Sequence, residues 1–110
     1  MNLAKPSAME ARRRTRAPYQ GWVEFQVGPN RLRAEGFDLS VEGIGVELGA
    51  APAVDAQLVS EFVLPGIALP LELRGRIAWR DLETGRAGVC FEGVDPGLAE
   101  LISNFVAGRL

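Results

Sequence analysis

Histidine is missing altogether from this chain and cysteine occurs once, at Cys90. Without histidine, and with one thiol, no ordinary zinc constellation can be assembled, and no intramolecular disulfide can form. Nucleophilic catalysis lacks its parts as well. Ser40 has no histidine to activate it, Cys90 falls in the middle of a strand pattern with no base nearby in sequence, and no glycine-rich loop ends in Lys-Ser or Lys-Thr. No catalytic residue, metal ligand or cofactor is therefore expected. Long apolar runs are also lacking: no segment approaches the roughly 20 apolar residues needed to span a bilayer, and residues 1–9 hold no run of signal-peptide length. The expectation is a non-enzymatic, cytoplasmic protein that does not insert into a membrane.

What is present fits one domain. The chain has 110 residues, 47% of them hydrophobic, enough for one modest core. Its net charge of -2 hides an uneven distribution. Lys5, Arg12, Arg13, Arg14 and Arg16 face only Glu10 in the first sixteen residues, whereas the remainder has an acidic excess. A basic arm thus precedes an acidic body, which suits a small anion better than a nucleic-acid polymer that the body would repel. Residues 1–16 have no hydrophobic period, and Pro6 and Pro18 discourage a long helix, so they read as a flexible arm. Residues 17–110 read as the folded domain.

In that domain the dominant period is two. Val23, Phe25 and Val27 alternate with polar neighbours and lead through Gly28-Pro29-Asn30 into a second run, Arg31 to Ser40. There the apolar face changes from Leu32 and Ala34 to Phe37 and Leu39, which predicts a bulge at Glu35-Gly36 and places Asp38 and Ser40 together on the face opposite the core. Ile44, Val46 and Leu48 resume the alternation. Gln57 to Leu64 follows, then Leu71, Leu73, Ile77 and Trp79 on one face, then Ala87, Val89 and Phe91. Six short strands with turn signals between them predict an antiparallel barrel or sandwich. By parity Trp79 sides with the core, the alternative being an aromatic wall that lines the site.

The C-terminus changes to a period of 3.6. Leu98, Leu101, Ile102, Phe105 and Val106 form one helical stripe, with Asp95 as N-cap, Pro96 at the first position and Gly108 at the stop.

Two polar clusters stand out: the arginines Arg12, Arg13, Arg14 and Arg16, and the run Asp38-Leu39-Ser40-Val41-Glu42-Gly43. Separately they read as a solvated tail and as a turn whose side chains bond backbone amides. Taken together, they complement one ligand class. A guanine presents O6 and N7 acceptors to an arginine fork and an amine donor to a carboxylate, and phosphates take charge-assisted bonds from further arginines. A guanidinium plane also stacks on a base.

Arg12-x-x-x-Arg16 followed by Asp38-x-Ser40-x-x-Gly43 resembles the two-part signature of PilZ domains, and Gly75-Arg76-Ile77-Ala78-Trp79 with Gly88-Val89-Cys90-Phe91 is similar to the last strands of that family. The resemblance runs over roughly residues 10 to 107. It implies a mainly β fold, a six-stranded antiparallel PilZ-type β-barrel with a C-terminal α-helix, and a bacterial receptor for the second messenger cyclic di-GMP. Carried over by position, Arg12 and Arg16 contact phosphate and guanine, Asp38 and Ser40 hydrogen-bond the ligand, Gly43 lets the turn pass close to it, and Arg13 is an accessory contact. The resemblance further implies an arm that orders on ligand binding and a protein effector from motility, pilus or exopolysaccharide machinery. The rival reading is a PilZ-like scaffold that contacts a protein without nucleotide. A single-stranded nucleic-acid barrel would need basic residues and exposed aromatics along a groove, against which the acidic body argues.

Overall fold

The computed structural model describes residues 15–49 and 51–109. The expected arm therefore lies outside the described residues except for Thr15 and Arg16. Six strands follow in order: β1 (Ala17–Val27), β2 (Asn30–Leu39), β3 (Gly43–Glu47), β4 (Gln57–Phe62), β5 (Leu71–Asp81) and β6 (Arg86–Phe91). A single helix, α1 (Pro96–Ala107), ends the described chain. All neighbouring strands are antiparallel, and β1 pairs with both β2 and β4, which closes a barrel in the order β1-β2-β3-β6-β5-β4. Closure satisfies every strand edge and leaves none to template pairing with another chain.

The period-two residues fill the interior. Val23, Phe25, Ile44, Val46, Ile77, Ala87 and Val89 are almost completely buried. The inner face of β4 holds Leu58, Ser60 and Phe62, with Leu64 continuing beyond the strand. Ser60 is the polar member of that row, and its hydroxyl donates to the Leu73 carbonyl at 3.0 Å, so it carries no unmet polar group inside. Helix α1 begins where expected: the Asp95 carboxylate accepts from the Gly97 amide at 2.8 Å and Pro96 takes the first turn. Ile102 and Val106 join the barrel core, with Leu98, Leu101 and Phe105 packed alongside.

Two expectations from the alternation need correction, and both fail at a bulge. The slip in β2 falls at Phe37 rather than at Glu35-Gly36, because Gly36 pairs with Val46 and Asp38 with the adjacent Gly45. Ala34 and Gly36 stay buried on one face and Leu39 takes the next inward position, so Phe37 is turned out of the core beside Asp38. In β5, Ile77 pairs with Val89 and Trp79 with Gly88, one residue further on the partner, so Ala78 is the extra residue. Trp79 is thereby flipped to the outer surface and is 47% exposed. It is not a core residue.

A third slip lies in β1, between Pro18 and Gly21. Tyr19 sits inside it, 3% exposed, its hydroxyl donating to the Val63 carbonyl at 2.8 Å. The ring makes edge contacts with Phe62 at 5.7 Å and Phe105 at 6.0 Å, so it joins β1, β4 and α1 in one aromatic cluster. Burial raises the Tyr19 phenol above its ordinary value, since the charged phenolate is poorly solvated there. The folded state thus keeps its proton where the unfolded chain loses it. The stability tied to this group is complete below the unfolded value of about 10 and is lost as pH rises through the folded value. Tyr19 is the sole tyrosine, so tyrosinate absorbance reads it alone. We expect its midpoint in the folded chain to lie above that in urea; coincident midpoints would refute the burial.

Candidate functional site

Of the residues singled out by the sequence, Arg16, Asp38, Ser40 and Gly43 come together at the start of β1 and the end of β2. Pro18 pairs with Asp38 and Ala17 with Leu39, and this register carries the preceding Arg16 to the β2–β3 turn. One Arg16 guanidinium then serves both partners. Its Nη2 donates to Asp38 Oδ1 at 3.0 Å and its Nη1 to Ser40 Oγ at 3.2 Å. Arg12 and Arg13 lie outside the described residues.

Ser40 is completely buried and has a second role in the turn. Its Oγ accepts the Glu42 amide at 3.1 Å and the Gly43 amide at 3.2 Å, while the Ser40 amide donates to the Gly43 carbonyl at 2.9 Å. These bonds satisfy the turn locally, so the hydroxyl is fixed and the guanidinium is the movable member of the set. The Asp38–Arg16 pair is more exposed, with side chains 27% and 40% accessible. Such a pair contributes about 0–1 kcal/mol, little enough for a ligand to take over either partner.

Gly43 has no left-handed backbone in this turn. Its requirement is space: a Cβ there would run into the Val89 carbonyl oxygen of β6. Gly45 and Gly88 have the same character. Cβ atoms on them would strike Phe37 with Asp38 and the Trp79 indole, respectively. Asp38, Gly45, Gly88 and Trp79 are successive cross-strand partners over β2, β3, β6 and β5. The two outward aromatics therefore lean over a pair of glycines, with Asp38 at one end of the row and Trp79 at the other, about 14 Å apart at the usual strand spacing.

The row includes residues whose part the alternation alone did not reveal. Arg86 extends from β6 to stack on Phe37, its guanidinium carbon 4.5 Å from the ring centre, and its Nε donates to Glu47 Oε1 at 3.0 Å. Phe37 and Trp79 could be located only once the bulges were known. Gly45 and Gly88, single glycines inside apolar strands, did carry a signal, because a strand glycine marks close approach by another group. Among the described residues no cluster of His, Cys, Asp or Glu is arranged to hold a metal ion, and no helix is long and apolar enough to cross a membrane.

A closed antiparallel barrel with a C-terminal helix, bearing an arginine–carboxylate–hydroxyl set where its first strand meets the β2–β3 turn, defines the class of the molecule. The family model described as the PilZ domain matches residues 10–108. The chain belongs to the PilZ domain family. Solved structures share the fold at low identity. The Bacillus subtilis inhibitor of motility MotI/DgrA is 16% identical with a TM-score of 0.71, covering 86% of this chain and 49% of its own length, so this chain spans about half of that protein. The PilZ domain of CeSA from a cellulose-synthesizing bacterium is 23% identical, with a TM-score of 0.64 and coverage of 84% and 95%. The PilZ domain of YcgR from Escherichia coli, solved with c-di-GMP, is 14% identical, with a TM-score of 0.67 and coverage of 86% and 87%. No curated protein matches the sequence.

Substituting Gly43 tests the packing at this turn. An alanine in an ordinary strand gains about 0.5–1 kcal/mol over glycine. Here the added methyl meets backbone that cannot rotate away, so Gly43→Ala should instead destabilise by about 1–3 kcal/mol in urea unfolding. A neutral or stabilised variant would show that β3 and β6 do not approach as described.

Proposed function

We propose that this domain is a non-enzymatic receptor for cyclic di-GMP that passes ligand occupancy to a partner protein. The reading is carried by the Arg16 fork shared between Asp38 and Ser40. Those three groups bring together the cation and anion, both partly exposed, and beneath them the buried hydroxyl, a set that complements a guanine and its phosphate.

The fork is satisfied by protein groups, Asp38 and Ser40. Binding exchanges these bonds: Asp38 turns its carboxylate to the guanine N–H donors, Ser40 remains anchored in its turn, and Arg16 takes a phosphate or the O6/N7 edge. In the exchange Asp38 gives up an ion pair worth about 0–1 kcal/mol for neutral N–H donors, while Arg16 gains an anionic partner, so little is lost. Arg12 and Arg13 supply further guanidinium groups from the segment before Arg16, which closes over the nucleotide. The Gly43 turn stays narrow enough to let the ligand approach. Trp79 and Phe37 present aromatic surface on the same outer face, Phe37 stacked by the Arg86 guanidinium. That similar structures include an inhibitor of motility and the PilZ domain of CeSA from a cellulose-synthesizing bacterium supports an effector protein as the recipient of the signal.

Calorimetric titration with cyclic di-GMP tests this directly, and the wild-type chain should bind. Arg16→Ala and Asp38→Ala should each weaken binding tenfold or more, since loss of a charge-assisted contact costs about 1.5–3 kcal/mol. Folded variants that bind at full strength would displace the site. A wild-type chain that does not bind would favour the scaffold reading. Hydrogen exchange over residues 10–18 should slow on addition of the nucleotide; equal exchange in both states would remove the closing segment from the mechanism.

A further inference from the structure

We infer that Tyr19 couples the nucleotide site to the C-terminal half of α1, making the end of that helix the part of the surface that reports occupancy. The inference rests on the nucleotide-receptor reading and adds to it the route by which occupancy leaves the site.

Arg16 and Tyr19 lie three residues apart on one segment, and each is tied to a different part of the molecule. Arg16 is held by Asp38 and Ser40. Tyr19 is held by the Val63 carbonyl at 2.8 Å and by edge contacts with Phe62 and Phe105. Between them stand Ala17, 1% exposed, and Pro18, whose ring fixes one backbone torsion. A displacement at Arg16 is therefore passed along a short, stiff link.

The ladder permits that displacement. The β1–β2 register slips between Pro18 and Gly21, so this stretch is held to β2 less tightly than the regular run from Gly21 to Val27. Tyr19 lies across the slip. A Cβ on Gly21 would come within 2.7 Å of its hydroxyl, and one on Gly36 within 2.6 Å of its ring. The two glycines leave the space that the ring fills, so the ring lies directly against the backbone on both sides of the slip. On the far side of the ring is Phe105, itself stacked by Arg109 at 4.6 Å. Tyr19, Phe37, Phe105 and Arg109 all line one open cleft of about 630 Å³, which runs from beside β2 to the end of α1. Movement of Tyr19 changes the shape of this cleft and the seat of Phe105 together.

The experiment is an amide chemical-shift titration of the full chain with cyclic di-GMP. In the wild type, amides of residues 38–43 and of residues 101–108 should shift with a common midpoint. In Tyr19→Leu, which keeps apolar bulk but loses the hydroxyl and the ring edges, the shifts at 38–43 should persist and those at 101–108 should largely disappear. Phe105→Leu reaches the same link from the helix side, so the test survives a Tyr19 variant that fails to fold; its remaining helix amides should likewise lose their response. Shifts confined to 38–43 in the wild type, or helix shifts undiminished in both variants, would overturn the coupling and leave the nucleotide reading intact. An absence of shifts at both segments would overturn the nucleotide reading, and the coupling with it.

Discussion

Side chains along a strand alternate between two faces, so one extra residue on one strand sends everything beyond it to the opposite side. This barrel uses that constraint in three places: β1 near Tyr19, β2 at Phe37 and β5 at Ala78. The β2 slip leaves Leu39 facing inward and Asp38 outward, where Arg16 can meet it. In β5 the slip removes Trp79 from the core and lays it over Gly88. In β1 it leaves room for Tyr19 to reach both Val63 and Phe105. Without these slips the same residues would pack a symmetrical barrel whose polar set was dispersed.

The slips in β1 and β2 coincide. The pairs from Gly36 back to Asn30 keep register with β1, and Phe37, extruded against β3, lies opposite the break in β1 between Pro18 and Gly21, so one irregular patch holds both. The protruding aromatics need somewhere to lie, and glycines at 45 and 88 provide it. In β2 and β5, bulge and glycine are thus two halves of one device: the bulge turns a large side chain outward, and the neighbouring strand omits one.

The Arg16 fork joins a fixed group to a weakly held one. Ser40 is buried and committed to the β2–β3 turn through backbone amides, whereas the Arg16–Asp38 pair is half-exposed and weak. The geometry of the site is therefore set by backbone, and the ionic contact can be exchanged without loosening the fold. The basic segment from Lys5 to Arg16 adds long-range attraction for an anion, while the acidic remainder of the chain limits adhesion to long polyanions.

Much of this was legible in the amino-acid sequence. Alternation located five of the six strands, an apolar run stopped by Pro65-Gly66 located the other, the 3.6 period located α1, and Asp95, Pro96 and Gly108 marked its ends, because these signals depend on neighbours close in sequence. The absence of histidine and the single cysteine bore on chemistry in the same direct way. Arg16, Asp38, Ser40 and Gly43 could be picked out as residue types in order. That one guanidinium bridges Asp38 and Ser40 was decided by the β1–β2 register, a contact across more than twenty residues. The faces taken by Phe37 and Trp79, and the meeting of Tyr19 with Phe105, were likewise settled only in three dimensions. Periodicity counts residues along one strand, whereas a bulge is defined by how many residues the partner strand places opposite, and that number belongs to the pair and to neither strand alone.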